Sequence, residues 1–400
     1  MGEPVLVTGM GVVTPFNPDG DRERFWRALC AGETAVGAVR SFDASAYACR
    51  VAAEADRELL RAGHAADDPA LCMAERAFER ALEDAGIARG GGTPRRAGLI
   101  VGTVLGGTAS GERYLRAQAH AAAGAPDTPA QYPLRAAAHA LAEKAGFTGP
   151  VLTVSTACAS GTDAIGLAYR RIASGAADVL VAGGVDAVCE LSFSGFCALR
   201  ALTADRVRPF SRNRTGLALG EGATFLVLER EDSATQRGAM PLGRVAGYAA
   251  RSDAFHLTAP HRDGRGLAAA VTGALEDAGV RADQIDYVSA HGTGTPYNDR
   301  METLALKAAL GARARRVPIS SVKGALGHAF GAAGAIEAAV CLLAIRDGVV
   351  PPTANLEEPD PECDLDFVPG CARRVAVRTA LTVSAGFGGQ NAALVIRVCP

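Results

Sequence analysis

One cysteine of this sequence stands where a protein can turn a thiol into a nucleophile. Cys158 lies in the stretch TACASG at 156–161, directly after the apolar run 151–155 and directly before 160–174, which has helical periodicity. The free N–H groups and partial positive charge of a helix N-terminus favour a thiolate over a thiol. We therefore predict that Cys158 is a nucleophile with a lowered pKa, and that the other cysteines are unreactive thiols.

Two histidines in the second half of the sequence have the chemistry of hydrogen-bond donors or bases. His291 follows the apolar run 285–290, and His328 follows a glycine-rich turn at 324–327. Lys323 lies five residues before His328 and is one of only three lysines among 41 cationic residues, so its retention is unusual. The remaining histidines lie in helical or loop contexts and are expected to have no catalytic role: His64, His120, His139, His256 and His261.

The elements that must position these residues follow an α/β pattern. Short apolar, β-branched runs alternate with Ala-rich stretches of helical period. The predicted strands are 4–8, 97–104, 151–155, 178–185, 223–228, 285–290, 317–322 and 381–384, and the predicted helices include 70–85, 160–174, 266–278 and 331–346. The glycines at 9 and 11 predict a tight turn after the first strand, and Thr14 in place of a third glycine excludes a dinucleotide-binding fingerprint.

A six-residue repeat divides the chain into two related halves. The sequence ALEDAG at 81–86 recurs at 274–279, and each copy ends a predicted helix that is followed by a strand and a glycine-rich loop. We predict an N-terminal half at 1–240 that carries the nucleophile and a C-terminal half at 241–400 that carries the histidines. Active sites of such folds lie at strand ends and between halves.

Composition excludes several classes of function. The 400 residues are 48% hydrophobic and 21% charged, as expected of a folded protein of more than one domain. The net charge of −2 provides no overall positive field for nucleic acid or an anionic membrane. The 10 cysteines form no CxxC pair, which argues against a zinc site and for reduced thiols in the cytoplasm. No targeting segment, membrane span, Walker A loop or GxSxG elbow is recognisable.

Taken together, these features resemble the elongating β-ketoacyl-acyl-carrier-protein synthases, the decarboxylating ketosynthases of the thiolase superfamily, with type II polyketide ketosynthases among them. The stretches that carry the resemblance span nearly the whole chain: VTGMGVVTP at 7–15, TACASG at 156–161, VAGGVDA at 181–187, RPFSRNRTGLALGEGA at 208–223, SDAFHLTAP at 252–260, HGTGTPYND at 291–299, KGALGHAFGAAGAIE at 323–337 and GFGGQN at 386–391. The resemblance implies a duplicated thiolase fold with five layers, αβαβα, in agreement with the internal repeat.

The resemblance also implies roles for the candidate residues. Cys158 would carry the growing acyl group, and its N–H together with that of Phe387, the gating phenylalanine, would form the oxyanion hole. His291 and His328 would both donate to the malonyl thioester carbonyl and stabilise the enolate that forms as carbon dioxide leaves. The other positions implied by the family are a supporting pair, Lys323 and Glu337, the pantetheine-binding residues Thr293 and Thr295, the substrate-pocket residues Leu105 and Ala385, and the carrier-protein docking residue Arg200.

One departure from the family pattern bears on the substrate. The family commonly has Asn-Ser-Phe before GFGG, whereas this chain has Val-Ser-Ala at 383–385. The missing aromatic ring should leave space beside Phe387 for a bulky or unsaturated acyl chain. This space favours polyketide over fatty acid synthesis.

We therefore predict a β-ketoacyl-acyl-carrier-protein synthase that performs decarboxylative Claisen condensation. It needs no cofactor of its own, because phosphopantetheine arrives on a carrier protein in trans, and we expect a homodimer or a heterodimer with a related subunit. One alternative is a catalytically silent partner subunit that helps to shape an acyl tunnel, which the intact Cys158, His291 and His328 disfavour. The other is a thiolase-like enzyme acting on coenzyme A thioesters, which the histidine motifs and the setting of Lys323 disfavour.

Overall fold

The computed structural model of the chain describes residues 3–61, 68–87, 97–120 and 130–399. The strands in these ranges are β1 (Val5–Val13), β2 (Val36–Ala38), β3 (Val51–Ala53), β4 (Gly98–Gly102), β5 (Val151–Val154), β6 (Val179–Asp186), β7 (Leu219–Gly220), β8 (Gly222–Arg230), β9 (Gly243–Ser252), β10 (Tyr287–Ser289), β11 (Ile319–Ser320), β12 (Val349–Val350), β13 (Arg373–Arg374), β14 (Thr379–Gly386) and β15 (Gln390–Arg397). The α-helices are α1 (Arg22–Cys30), α2 (Arg57–Arg61), α3 (Pro69–Asp84), α4 (Thr108–Ala119), α5 (Ala136–Ala145), α6 (Ser160–Ala173), α7 (Glu190–Ala198), α8 (Glu231–Gln236), α9 (Arg265–Ala278), α10 (Pro296–Leu310), α11 (Lys323–Leu326) and α12 (Ala333–Asp347).

The central sheet contains the same five-stranded arrangement twice. Its strand order is β11-β10-β14-β15-β9-β1-β8-β6-β4-β5, and β1 pairs with β9 where the two arrangements meet. In each arrangement the first strand pairs antiparallel with the fifth, the fifth pairs antiparallel with the fourth, and the remaining pairs are parallel. Two chain segments thus follow one topology, although the division after residue 240 remains a prediction.

Helices and strands form the five layers that the sequence predicts. Helices α3 and α5 cover the outer face of the first arrangement, and α9, backed by α10, covers the outer face of the second. Helices α6 and α12 lie between the two arrangements and contact each other. Every residue of α12 from Ala333 to Ala344 is buried, and all of them except Glu337 are apolar, as expected of a helix that is covered on all sides. The αβαβα fold class is therefore confirmed.

The ALEDAG repeat has a structural cause that is the same in both halves. At the end of α3, the Asp84 carboxylate accepts a hydrogen bond from the backbone N–H of Met10 at 3.0 Å. At the end of α9, the Asp277 carboxylate accepts one from the backbone N–H of Tyr248, also at 3.0 Å. Both N–H donors lie next to an irregularity in the register of β1 or β9. Each copy of the repeat thus fastens a helix to the first strand of its arrangement.

The tight turn predicted at the glycines 9–11 is wrong, because β1 continues to Val13. These glycines allow α3 to pack closely on the strand: a Cβ at Gly9 would lie 2.3 Å from the carbonyl oxygen of Ala81. Gly247 has the same function in β9, where a Cβ would lie 2.4 Å from the carbonyl oxygen of Ala274. Within the described ranges, no helix has both the length and the apolar composition that crossing a bilayer requires.

Candidate active site

Cys158 occupies the turn between β5 and α6, close to the centre of the molecule. Ala157 adopts φ of +52°, a conformation that costs free energy for a residue with a side chain. The Ser160 hydroxyl stabilises this turn by accepting from the N–H of Thr156 at 2.9 Å and donating to the carbonyl of Ala157 at 2.5 Å. Cys158 is only 8% exposed. The turn therefore presents the sulfur to an enclosed chamber instead of to bulk water.

The predicted lowering of the Cys158 pKa is wrong. Burial raises the pKa of this thiol to about 11, although the Lys323 charge and the backbone N–H groups of Phe387 and Cys158 itself act in the opposite direction. Desolvation of the thiolate thus outweighs the Lys323 charge and these N–H groups together. Cys158 rests as a thiol at neutral pH, and the two N–H groups that converge on the sulfur form a site for an oxyanion.

His291 is fixed from both its backbone and its ring. It follows β10, and Glu302 of α10 accepts from the N–H of His291 at 2.6 Å and from that of Gly292 at 2.8 Å. The Lys323 ammonium donates to Nδ1 of His291 at 3.3 Å. Because an ammonium group only donates, Nδ1 is the unprotonated ring nitrogen and Nε2 carries the hydrogen. His291 therefore offers an N–H donor on the side of its ring away from Lys323.

His328 faces the same chamber with an unpartnered ring. Its imidazole packs edge-on against that of His291, with 5.2 Å between ring centroids, and stacks on Phe330 at 5.8 Å. Both ring nitrogens are buried, and neither has a hydrogen-bond partner in the part of the chain that the structure describes, so they can bond a ligand. Burial, together with the Lys323 charge, holds the pKa of both histidines well below the ordinary value. The chamber thus contains two neutral imidazoles.

Lys323 and Glu337 form a buried ion pair behind the histidines. The ammonium group contacts one carboxylate oxygen of Glu337, while the second oxygen has no partner among the described residues. Burial raises the pKa of Glu337 to about 7, and Lys323 opposes that rise. Removal of either partner would leave the other charge buried and unpaired, so each depends on the other.

A cavity of about 330 Å³ joins these groups to the surface. Thr293, Thr295, Ala385 and Phe387 line it, as do Cys158, His291 and His328. The hydroxyls of the two threonines lie 2.9 Å apart. Phe387 is 36% exposed, and its ring stacks on that of Phe196 from α7, with centroids 5.5 Å apart. The two rings together form one wall of the cavity.

The structure places Arg200 and Leu105 apart from the catalytic groups. Arg200 is exposed at the mouth of the cavity and forms no ion pair with any residue that the structure describes. Leu105 does not line the cavity; it follows β4 and packs with Phe196 and other residues in a separate apolar cluster. Its backbone N–H donates to the buried Asp186 at 2.8 Å. Leu105 is therefore connected to the site through its packing in this cluster and through its hydrogen bond to Asp186.

Three residues that organise this site received no role from the sequence, although Asp186 belongs to one of the stretches that carry the family resemblance and Glu302 lies shortly after another. Glu302 holds the backbone at His291, Phe196 stacks on Phe387, and Asp186 accepts from the N–H groups of Val104, Leu105 and Gly331. An isolated acidic residue at the end of an apolar run, such as Asp186 in VAGGVDA, is the signal that sequence offers. Phe196 gave no such signal, because an aromatic residue in a helix is usually part of the core.

Cys158, His291 and His328 are of residue types that bind metal ions, and they lie close together. The ligating atoms of Cys158, His291 and His328 all lie within 4.8 Å of one another. This distance measures how closely one thiol and two imidazoles, carried by opposite halves of the fold, converge on a single point.

Comparison with known proteins agrees with this geometry. Residues 2–234 match the N-terminal domain of the β-ketoacyl synthase family, and residues 242–357 match its C-terminal domain. The ketoacyl synthase alpha subunit of the tetracenomycin polyketide synthase from Streptomyces glaucescens is 42% identical over 414 residues, covering 98% of this chain and 97% of that protein. 3-Oxoacyl-[acyl-carrier-protein] synthase 2 from a Synechocystis species is 38% identical, with the same coverage of 98% and 97%.

Solved structures agree as well. The ishigamide ketosynthase/chain length factor superposes with a TM-score of 0.93 at 35% identity, and a type II polyketide synthase acyl-carrier protein in complex with its ketosynthase gives 0.92 at 33%. In both comparisons the whole of each chain is covered. The family, the fold class and the enzyme class predicted from the sequence are confirmed. The chain belongs to the β-ketoacyl synthase family and is a β-ketoacyl synthase, an enzyme of decarboxylative condensation.

Proposed function

We propose that this enzyme loads an acyl chain onto Cys158 and extends it with a malonyl-type unit whose enolate is held by His291 and His328. The observation that best supports these roles is the convergence of one thiol and two neutral imidazoles within 4.8 Å in a buried chamber. The rest of the site is consistent with them, since oxyanion donors lie at the sulfur and a lysine orients one imidazole.

Loading begins at the Cys158 sulfur. It attacks the carbonyl of an acyl thioester, the carbonyl oxygen becomes an oxyanion, and the N–H groups of Cys158 and Phe387 stabilise that charge. The bond to the pantetheine sulfur then breaks, and pantetheine leaves as a thiol with the proton that Cys158 gave up. The pKa of about 11 means that the thiolate is a minor species, so stabilisation of the oxyanion and leaving group must drive this step.

Extension requires an enolate in the same chamber. The bond between the malonyl α carbon and its carboxylate breaks, carbon dioxide leaves, and the electron pair remains as an enolate. Nε2–H of His291 and a ring N–H of His328 donate to the enolate oxygen. The α carbon then attacks the acyl carbonyl on Cys158, the C–S bond breaks, and the sulfur regains a proton from water. The β-ketoacyl product remains on the arriving pantetheine.

The substrate is delivered by a carrier protein in trans, on a phosphopantetheine arm that occupies the cavity between its mouth and Cys158. The threonine hydroxyls of Thr293 and Thr295 are suited to the amides of that arm. We assign the enzyme to polyketide synthesis, because Ala385 leaves space in the cavity and because close relatives carry polyketide names. A location in the cytoplasm and the absence of a cofactor beyond this arm remain predictions.

The second candidate function is that of a partner subunit that shapes the acyl tunnel of a heterodimer. Two similar structures are named as a ketosynthase with its chain length factor, so a heterodimer is one assembly open to this chain. The complete set of Cys158, His291 and His328 favours the catalytic role over the silent one. A homodimer is the other assembly.

Intact-mass spectrometry with acyl and malonyl carrier proteins tests the proposal. Wild type should gain one acyl group and then release an extended chain, whereas Cys158→Ala should gain none. His328→Ala should still be acylated but should extend slowly, because loss of one oxyanion donor costs about 10²- to 10³-fold in rate. Cys371→Ala, at an exposed cysteine, is the matched control and should behave as wild type. Acylation of Cys158→Ala, or equal loss of both steps in His328→Ala, would contradict these roles.

A further inference from the structure

One histidine outside the catalytic set makes hydrogen bonds that only its neutral form allows. His256 belongs to the segment 253–261, here called the wall loop, which follows β9 and contributes Thr258, Ala259 and Pro260 to the lining of the cavity. Nδ1 of His256 accepts from the backbone N–H of Thr258 and from that of Ala259, both at 3.1 Å. His256 itself does not line the cavity. His256 is exposed, and its ring contacts the backbone of the wall loop and not the cavity.

The wall loop is joined to the segment that carries the Phe387 N–H. The N–H of Gly388 donates to the carbonyl of Leu257 at 2.7 Å, and the N–H of Asp253 donates to the carbonyl of Gly389 at 2.8 Å. Leu257 lies between His256 and the two residues bonded to its ring. Gly388 directly follows Phe387, whose backbone N–H points to the Cys158 sulfur. A short path of backbone bonds thus connects the His256 ring with an oxyanion donor.

We propose that His256 is a positioning residue for the loading step. Its ring nitrogen fixes the wall loop, and the wall loop fixes the backbone around Phe387 so that this N–H faces the acyl carbonyl. The inference rests on the proposed oxyanion role of Phe387 and adds to it the element that holds Phe387 in place. His256 touches neither the substrate nor the reacting atoms, so its effect passes through the backbone of residues 257–259 and 387–389.

The chemistry of the contact specifies which substitutions preserve it. The side-chain oxygen of asparagine accepts readily from the N–H groups two and three residues later in the chain, as in Asx turns. His256→Asn therefore supplies an acceptor near the place of Nδ1, whereas His256→Ala supplies none. His261 is a matched control in the same loop, because its ring bonds Asp263 and no backbone N–H of the wall.

Two reactions of Cys158 separate a positioning role from a structural one. Acyl transfer from an acyl-pantetheine thioester passes through an oxyanion, whereas alkylation by iodoacetamide does not. We expect His256→Ala to lower acyl transfer about tenfold, a part of the 10²- to 10³-fold that loss of a whole donor costs. Alkylation of Cys158 should fall less than acyl transfer, because the Lys323 charge and the N–H of Cys158 itself still stabilise the thiolate when the Phe387 N–H is displaced. His256→Asn should restore most of the acyl transfer, while His261→Ala should behave as wild type.

Three results would overturn the inference. Equal loss of acyl transfer and alkylation in His256→Ala, with a lowered melting temperature, would show that His256 only stabilises the fold. Failure of His256→Asn to restore acyl transfer would exclude the acceptor role, and unchanged acyl transfer in His256→Ala would exclude any role. If wild type itself fails to acylate Cys158, the proposed function has failed instead, which this comparison distinguishes because all variants would then behave alike.

Discussion

At Cys158 the helix N-terminus and burial act in opposite directions, and burial dominates. The pKa of this thiol is about 11. At any pH below 11, the thiolate fraction should therefore increase tenfold for each unit by which the pH is raised. We expect alkylation of Cys158 by iodoacetamide to keep accelerating from pH 7 to pH 9. Rates measured by mass spectrometry, with Cys158→Ala to subtract the other thiols, check this expectation. A plateau near pH 7 would mean that the dipole and Lys323 dominate after all.

We expect Ala385 to limit the space for the acyl chain beside Phe387. It lines the cavity with Cys158 and the catalytic histidines, so a phenylalanine at this position would occupy volume that a substrate now uses. Ala385→Phe should slow elongation of long or unsaturated carrier-bound chains by about tenfold, equivalent to 1.4 kcal/mol, and leave short saturated chains nearly unchanged. Ala385→Gly, which adds no ring, is the matched control. An unchanged order of preference would show that Ala385 does not shape the substrate site.

For single residues, the sequence predicts which side chains react better than it predicts how the surrounding protein changes their pKa. Cys158, His291 and His328 are recognisable because each lies at the end of an apolar run beside small residues. The protonation state of Cys158 depends on how much water the fold removes from it, and no spacing of residues shows that. The sequence assigns no role to Glu302 or His256 for a related reason: both accept hydrogen bonds from backbone N–H groups, and no pattern of residue types shows such a contact.

Among the helices and strands, the close packing of a helix on a strand is the feature whose substitution should reduce stability most. A Cβ at Gly9 would lie 2.3 Å from a backbone oxygen of α3, and one at Gly247 would lie 2.4 Å from the equivalent oxygen of α9. Gly9→Ala and Gly247→Ala should each lower the free energy of unfolding by about 1–3 kcal/mol or more, because the helix must move away from the sheet. Urea unfolding, followed by circular dichroism, measures this effect.

The control for these substitutions lies in a strand with open space around it. A Cβ at Gly37 in β2 would meet no heavy atom within 4 Å, so Gly37→Ala should change the unfolding free energy little. A similar loss in all three variants would point to general intolerance of alanine in strands and would contradict the packing explanation.

The sequence predicts the helices well where a long stretch is rich in alanine. The Ala-rich stretches of α3, α6, α9 and α12 were all predicted, with their ends displaced by one or two residues. Strand β9 was not predicted, since its sequence GRVAGYAARS contains few β-branched residues and its glycine at 247 suggests a break. That glycine is needed because α9 packs on it. The contact that explains the residue is absent from the local sequence.

At the scale of the whole molecule, duplication brings the chemistry together. The nucleophile belongs to the first five-stranded arrangement and both histidines belong to the second, so the chamber exists only where the two meet. The six-residue repeat was sufficient to predict two related halves, because each copy performs the same fastening function. The mode of assembly with a second subunit was not predictable, since no repeat or motif within one chain encodes a partner.

We expect Arg200 to be a docking residue for the carrier protein. With a net charge of −2, the enzyme has no overall attraction for an acidic partner, so docking requires a local positive group at the cavity mouth. Arg200 is exposed there, without an ion pair among the described residues, and Tyr297, which is 78% exposed, lines the same cavity.

Arg200→Glu should raise the KM for carrier-bound thioesters about tenfold, because like charges now meet across the interface. Arg374→Glu makes the same change of charge at an exposed site that does not line the cavity and should leave KM unaltered. Small pantetheine thioesters, which have no carrier protein attached, should be processed equally by both variants. A matching rise in their KM for Arg200→Glu would show that Arg200 acts on the pantetheine arm in the cavity and not on the carrier protein.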